Sequence, residues 1–211
     1  MSELFVLTER PAIYLASKSS RRQELLRQLG VEFEPLLLRE ALGRRRDVVE
    51  GPRKEEPPLD YVKRIARLKA SVGWHRMGRR GLPPKPVLGA DTEVVLNGRA
   101  LGKPADASGA VAMLTALSGQ THEVITAVAV RFETQLVAAV STSRVTMRAM
   151  ARDEIERYVA TGEPFDKAGA YAIQGRAAAF VQHLEGSYSG VVGLPLHETA
   201  GVLAHIGYPV I

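Results

Sequence analysis

The chain has 211 residues, no cysteine, and 28 Lys and Arg against 23 Asp and Glu, a net charge of +5. Without cysteine there can be no disulfide framework, no Cys-based zinc site and no thiolate nucleophile. No stretch approaches the roughly 18 consecutive apolar residues of a membrane span, and the opening MSELFVLTERPAIYLAS lacks a basic segment leading a long apolar core, so a cytoplasmic protein with no membrane partner is expected.

In chain order, Ala12 to Ala16 reads as a buried strand. An amphipathic helix follows, with Leu25, Leu26 and Leu29 on one side and Gly30 as its stop. Val31 to Leu38 reads as a second strand, and Glu40 to Pro58 as a polar, proline-containing loop expected to be mobile. That loop carries the densest positive run, Arg44 to Arg46, flanked by Arg39, Arg53 and Lys54. No aromatic residues interleave with it as base stacking would require, so it reads as a solvated loop, and nucleic acid is not an expected partner.

Pro57 to about Met77 has the apolar period of a long helix, and Gly78 to Pro86 breaks it where two lobes could meet. Val87 to Gly89 and Glu93 to Leu96 look like short strands, with Asn97-Gly98 turning the chain into Arg99 to Leu101. Asp106 caps a helix running to Leu117. Two longer strands, His122 to Phe132 and Gln135 to Met147, precede a helix at Asp153 to Ala160, a loop at Gly162 to Gly175, a strand at Ala178 to Leu184 and a last helix at Leu196 to His205. Mixing βα units with antiparallel hairpins argues for one α/β domain over 1–211, built on a curved mixed sheet with flanking helices.

Four places carry chemistry. Ser17-Lys18-Ser19-Ser20-Arg21-Arg22 stands where the first strand meets the first helix. Ser19 or Ser20 suits the N-cap, yet two arginines in the first turn have the wrong sign for a helix start, unless an anion binds there among N–H groups, hydroxyls and guanidinium forks. The alternative is that the arginines extend into water.

Lys69 is the second. Val62, Ile65, Ala66, Leu68 and Val72 define one face of the long helix, with Lys63, Arg64 and Arg67 opposite, and Lys69 falls in the middle of the apolar face. A lysine there either snorkels out, neutralises, or meets a buried anion. Third, Val87-Leu88-Gly89-Ala90-Asp91-Thr92 delivers a carboxylate and a hydroxyl at the end of an apolar strand, where catalytic groups and magnesium ligands commonly sit, though an aspartate taken alone is more often a turn residue than a ligand. Lys103 would return towards the same end of the sheet. Fourth, Glu163 to Gly175 is rich in small residues that let backbone approach a ligand, and Gln174 offers a donor and an acceptor suited to a pyrimidine edge. Gly186 to Gly190 looks like a tight connection nearby. There is no GxxxxGK[ST] loop, no GxGxxG after a strand, no HExxH and no GxSxG elbow.

Taken in order, SKSSRRQELLRQLG, VLGADTEVVLNGRALGKP, LSGQTHEVITAV, EPFDKAGAYAIQG and GSYSGVVGLPLHET resemble the Maf (septum formation inhibitor) family along nearly the whole chain. The resemblance implies an elongated, ITPase-like α/β molecule with two lobes around a cleft, usually a homodimer. It implies a pyrophosphatase that uses a divalent metal cation (Mg, Mn or Co) to cut a nucleoside triphosphate substrate to the monophosphate and pyrophosphate. DKAGAYAIQG looks like the dTTP/UTP branch.

By the same resemblance Ser17, Arg21, Arg22, Lys69 and Lys103 bind the triphosphate, with Lys69 and Lys103 also catalytic. Asp91 holds the metal or acts as general base, and Gln174 lies near the base. Ser19 and Thr92 join the substrate-binding set from the residue reading. Ser20 replaces the family's usual proline, a neutral change at a helix start. The family's adjacent acidic residues after the second strand are reduced here to Glu40, the expected second metal ligand, followed by the arginine-rich insertion. The alternatives are a pyrophosphatase of methylated or modified nucleotides and a non-catalytic nucleotide sensor acting on cell division.

Overall fold

The computed structural model describes residues 11–39 and 47–210. Its frame is a seven-stranded mixed sheet in the order β2-β1-β3-β5-β6-β7, with β4 attached to the outer end of β3. The strands are β1 Ile13–Leu15, β2 Phe33–Pro35, β3 Val87–Leu96, β4 Arg99–Ala100, β5 Thr121–Phe132, β6 Gln135–Met147 and β7 Val181–Glu185. The helices are α1 Ser20–Gln28, α2 Pro58–Arg79, α3 Ala107–Leu117, α4 Arg152–Ala160, α5 Tyr188–Val192 and α6 Leu196–His205.

β1 runs parallel to both neighbours, β2 and β3, and every later pairing is antiparallel. The first crossover, through α1, takes the chain from β1 out to β2; the second, through α2, carries it back past β1 to β3. This reversal makes the β1/β3 junction a topological switch point, where a crevice opens beyond the strand ends. Here the crevice is deepened by unequal strand length. β1 pairs with β3 only at Val87 and Leu88, and β4 and the Leu101 N–H take up β3 again from Val94. Between these points the edge of β3, Gly89 to Glu93, has no strand beside it on that side among the described residues.

Alternation along β3 sorts side chains between the two faces. On one face Val95, Ile125, Ala127 and Ala129 pack against Val62, Ala66 and Ala70 of α2. The opposite face carries two apolar clusters. Leu88, Ala90, Val128 and Val130 pack with Leu25 and Leu26 of α1 and Val202 and Leu203 of α6. Val94, Val124, Val145 and Met147 pack with Leu114 of α3 and Ile155, Tyr158 and Val159 of α4. These are the two lobes, sharing β3, β5 and β6 and divided by the cleft.

The α/β class and the mixed sheet with flanking helices are as expected, but five local readings are corrected. Val87 to Leu96 is one continuous strand, because β5 pairs with it through Asp91 and Thr92. The second strand is only Phe33–Pro35, since β1 is too short to pair with more. Gly78 belongs to α2, which runs to Arg79. Residues Arg176–Phe180 form a 3-10 helix, so the strand after it starts at Val181 rather than Ala178. Gly186 to Gly190, expected as a tight connection, opens α5 instead: Ser187 caps that helix by accepting from the Gly190 N–H at 3.0 Å. No helix among the described residues is long and apolar enough to cross a membrane.

Two glycines set the approach of α2 to the sheet. A Cβ on Gly89 would lie 2.7 Å from the Ala66 carbonyl oxygen and the Ala70 nitrogen; one on Gly73 would lie 2.7 Å from Val87. Gly89→Ala therefore forces α2 outward, and the expected cost is about 1–3 kcal/mol, read as a lowered urea midpoint at unchanged slope; an unaltered midpoint would refute the packing argument.

In the second lobe His122 is 2% exposed and its Nε2 lies 2.8 Å from the Tyr171 hydroxyl, the rings meeting edge to face. Burial pulls its pKa from 6.5 to about 4. Between those values the unfolded chain carries a proton that the folded chain does not, so stability falls as pH drops through this window, by up to about 3 kcal/mol. In urea unfolding at a pH within the window and at one above it, His122→Asn should lose that part of the wild-type difference; an equal difference in both proteins would assign the effect to other groups.

Candidate active site

The cleft at the switch point encloses about 980 Å³ and is lined by Ser17, Ser19, Arg21, Arg22, Lys69, Asp91, Thr92, Lys103 and Gln174, so all nine described candidate residues border one space. Glu40 and Arg44 to Arg46 lie outside the described residues.

The α1 end is built by local hydrogen bonding. The Ser19 hydroxyl accepts from the Arg22 N–H at 3.4 Å as the N-cap, and the Ser17 hydroxyl accepts from the Ser19 N–H at 3.2 Å. The arginines do not extend freely into water. Arg22 donates from Nε to the Gly193 carbonyl at 2.8 Å, from Nη1 to Ser17 at 3.3 Å and from Nη2 to Thr92 at 3.2 Å, tying α1 to β3 and α5. The Thr126 hydroxyl stands 3.0 Å behind Thr92. Burial pulls the Arg22 pKa down and Arg21 adds to this, while Asp91 and Glu50 oppose it. Burial does the same to Arg21, against the field of Asp166 across the cleft. Both guanidiniums are thus cations short of compensating negative charge.

On the α2 side Lys69 meets a buried anion, the third of its sequence alternatives. Its Nζ lies 2.8 Å from Asp91 Oδ1 and 2.6 Å from Glu50 Oε1, and its side chain is 12% exposed. The close approach at Gly89 puts these groups in reach, since the Lys69 Cβ lies just over that glycine. Burial alone would raise the Glu50 pKa, but the Lys69 ammonium, helped by Lys103 and Arg22, brings it below its usual value.

Glu50 arrives from the far side of the arginine-rich loop. Asp47 accepts from the Arg39 N–H at 2.8 Å and forms an ion pair with Arg76 of α2, with Asp47 9% and Arg76 14% exposed. This pair fixes the returning chain just ahead of Glu50.

Several lining residues were missed by the sequence reading. Glu93 had an available signal, since it follows Asp91 by two positions and so shares its face of β3. Its Oε1 accepts from the Gly102 N–H at 2.9 Å and the Val94 N–H at 3.2 Å. Tyr61 sits two turns before Lys69 on α2, its hydroxyl pKa raised by burial and by Asp91, Glu50 and Glu93. Lys167 donates to the Glu163 carbonyl at 2.6 Å. Glu50, by contrast, left no mark in a segment without periodicity.

The opposite wall is the segment from Phe165 to Gln174. Its shape is fixed by Glu163, whose carboxylate accepts from the Arg176 and Ala177 N–H groups and the Tyr158 hydroxyl. A Cβ at Gly175 would come within 2.4 Å of that carboxylate. Ile173 and Gln174 of this wall line the cleft together with apolar Val124 and Val191, a surface suited to a flat heterocycle with one polar edge.

Seven Lys or Arg side chains and four carboxylates line the cleft, so its field draws an anion while keeping oxygen ligands for a cation. Among the described residues no group of three or more His, Cys, Asp or Glu could by itself hold a metal ion. The donor set nonetheless fits a magnesium-like ion: two carboxylates, Asp91 and Glu50, both reach the single Nζ of Lys69, and such ions commonly take one or two carboxylates, water and substrate phosphates.

The chain is 56% identical to a dTTP/UTP pyrophosphatase of Nitrosomonas europaea over 94% of this chain and 96% of that protein. It is 58% identical to one from Nitrosospira multiformis over 90% and 92%. Among solved structures the Ham1 protein of Staphylococcus aureus is similar over 65% of this chain and 72% of that one, at 12% identity and a TM-score of 0.41, a likeness too slight to bear on the site. The model of Maf-like proteins matches residues 12–206, and the chain belongs to the Maf family.

Proposed function

We propose that this chain is a nucleoside triphosphate pyrophosphatase that hydrolyses dTTP and UTP to the monophosphate and pyrophosphate. The observation that carries it is the meeting of Lys69, Asp91 and Glu50 on one wall of a cleft whose other end holds the Arg21 and Arg22 helix start. Relatives above 50% identical that carry this activity in their names support the substrate class.

In this reading the phosphate chain lies along the α1 N-terminus, bound by free N–H groups, Ser17, Ser19, Arg21 and Arg22, with Lys69 and Lys103 closing from the sides. Thr92 orients Arg22. Gln174 reads the base edge against the apolar wall. A water attacks the α-phosphorus in line; its oxygen forms the new P–O bond as the bond to the β-phosphate oxygen breaks and pyrophosphate leaves. Asp91 accepts the water's proton, and the hydrogen bond from Lys69 aims that carboxylate. A divalent cation held by Asp91, Glu50 and the phosphates would withdraw charge from the phosphate oxygens. Preorganised charge and position supply the catalysis, as expected where phosphate oxygens gather charge in the transition state. Glu50 is the second carboxylate of this reading; Glu40, the metal ligand expected from the sequence, lies outside the described residues. Homodimerisation and a cytoplasmic location, both carried by the family resemblance, belong to the same proposal, and no catalytic role depends on either.

Pyrophosphate release from a panel of canonical and methylated nucleoside triphosphates, with Mg²⁺, Mn²⁺ or Co²⁺, tests the reading. The expected result is preferential turnover of dTTP and UTP, reduced at least about a hundredfold in Asp91→Asn. Preference for methylated nucleotides would move the assignment to the other branch, and inactivity under every condition would replace catalysis with nucleotide sensing.

A further inference from the structure

Glu93 is a buried carboxylate on an apolar strand, two residues from Asp91 and on the same face, where two like charges cost free energy. An apolar residue would suit this position better unless the carboxylate serves something nearby. What it serves is the peptide of Gly102. That N–H donates to Glu93 Oε1 at 2.9 Å, and the Gly102 carbonyl accepts from the Gly169 N–H at 2.8 Å. Gly102 itself has φ +62, a left-handed turn that swings the chain out of β4 and presents the next residue, Lys103, to the cleft. The turn is thus held on one side by Glu93 from the sheet and on the other by the wall of the base end.

We infer that Glu93 is a positioning residue for Lys103: its carboxylate oxygen fixes the Gly102 peptide and so the direction from which the lysine meets the phosphate chain. This rests on the proposed role of the cleft. Without the acceptor the Gly102 N–H loses its partner, the turn relaxes, and Lys103 spends less time on the substrate. The requirement is for an acceptor oxygen at this point, not for a negative charge.

The test compares Glu93→Leu, Glu93→Gln, Lys103→Ala and the double variant Glu93→Leu/Lys103→Ala. Each is measured for kcat/KM and for Kd towards a non-hydrolysable nucleoside triphosphate analogue. Glu93→Leu should lower kcat/KM and weaken binding, by about tenfold and by no more than Lys103→Ala does; Glu93→Gln, which keeps an acceptor, should stay within about threefold of the parent. The double variant should be no worse than Lys103→Ala alone, because a residue acting through Lys103 has nothing left to act through. A further tenfold loss in the double variant, an unaffected Glu93→Leu, a Glu93→Gln as poor as Glu93→Leu, or a Lys103→Ala equal to the parent would each overturn the inference. A parent that binds the analogue but hydrolyses no nucleotide would instead remove the hydrolytic reading, and the binding cycle would still decide Glu93.

Discussion

The contact between α2 and β3 at Gly89 is the constraint on which the cleft depends. Helix and strand come together there with no side chain between them, the gap being too narrow even for a methyl group. That proximity lets the Lys69 ammonium reach Asp91 from the apolar face of a helix. A lysine buried there with no partner would be costly, and so would Asp91 without a cation. Each removes the other's penalty, and Glu50 supplies the second negative charge. The triad is held by covalent geometry and packing on two of its sides; only Glu50 depends on a loop, and the Asp47–Arg76 ion pair anchors that loop to the same helix.

The second constraint is the length of β1. Had it run five residues further, its backbone would have paired with β3 from Gly89 to Glu93 and sealed the crevice. Instead the chain turns into α1 at Ser20, leaving the helix N-terminus and its unpaired N–H groups facing the open edge of β3. One short strand thereby sets a helix N-terminus that carries two arginines beside a strand that carries carboxylates. The two charge types stay apart because they rise from different elements: Arg21 and Arg22 from α1, Asp91 and Glu93 from β3.

The sequence displays this arrangement unevenly. Lys69 was legible because a helix repeats every 3.6 residues and a charge in the apolar stripe breaks the pattern. The Ser-Ser-Arg-Arg start was legible because its sign conflicts with the helix dipole. Ala90 to Thr92 falls between the two strands expected from the sequence, since alanine and aspartate are poor strand formers; the twelve-residue β5 beside them overrides that preference. Glu50 was not legible at all. Its place depends on an ion pair between Asp47 and Arg76, 29 residues apart, and on a loop whose composition has no period. Glu93 could have been found by counting two from Asp91, but in a segment read as broken the alternation was not extended through it.

Arg22 shows why the charge of such a cleft is not simply available for substrate. Three of its hydrogen bonds are already spent on Gly193, Ser17 and Thr92, so it cannot swing to meet a phosphate without loosening the junction of α1, β3 and α5. In the proposed reading it meets the phosphate chain from the fixed position that these bonds give it. Arg21 has no such ties among its described contacts beyond the field of Asp166, which makes it the guanidinium better able to follow a phosphate group. The neighbouring arginines thus divide the work: one is built into the wall and the other faces across the opening. In the proposed reading a substrate phosphate beside Arg21 would be a nearer anion than Asp166, so the excess of Lys and Arg over carboxylates in the cleft would favour the triphosphate.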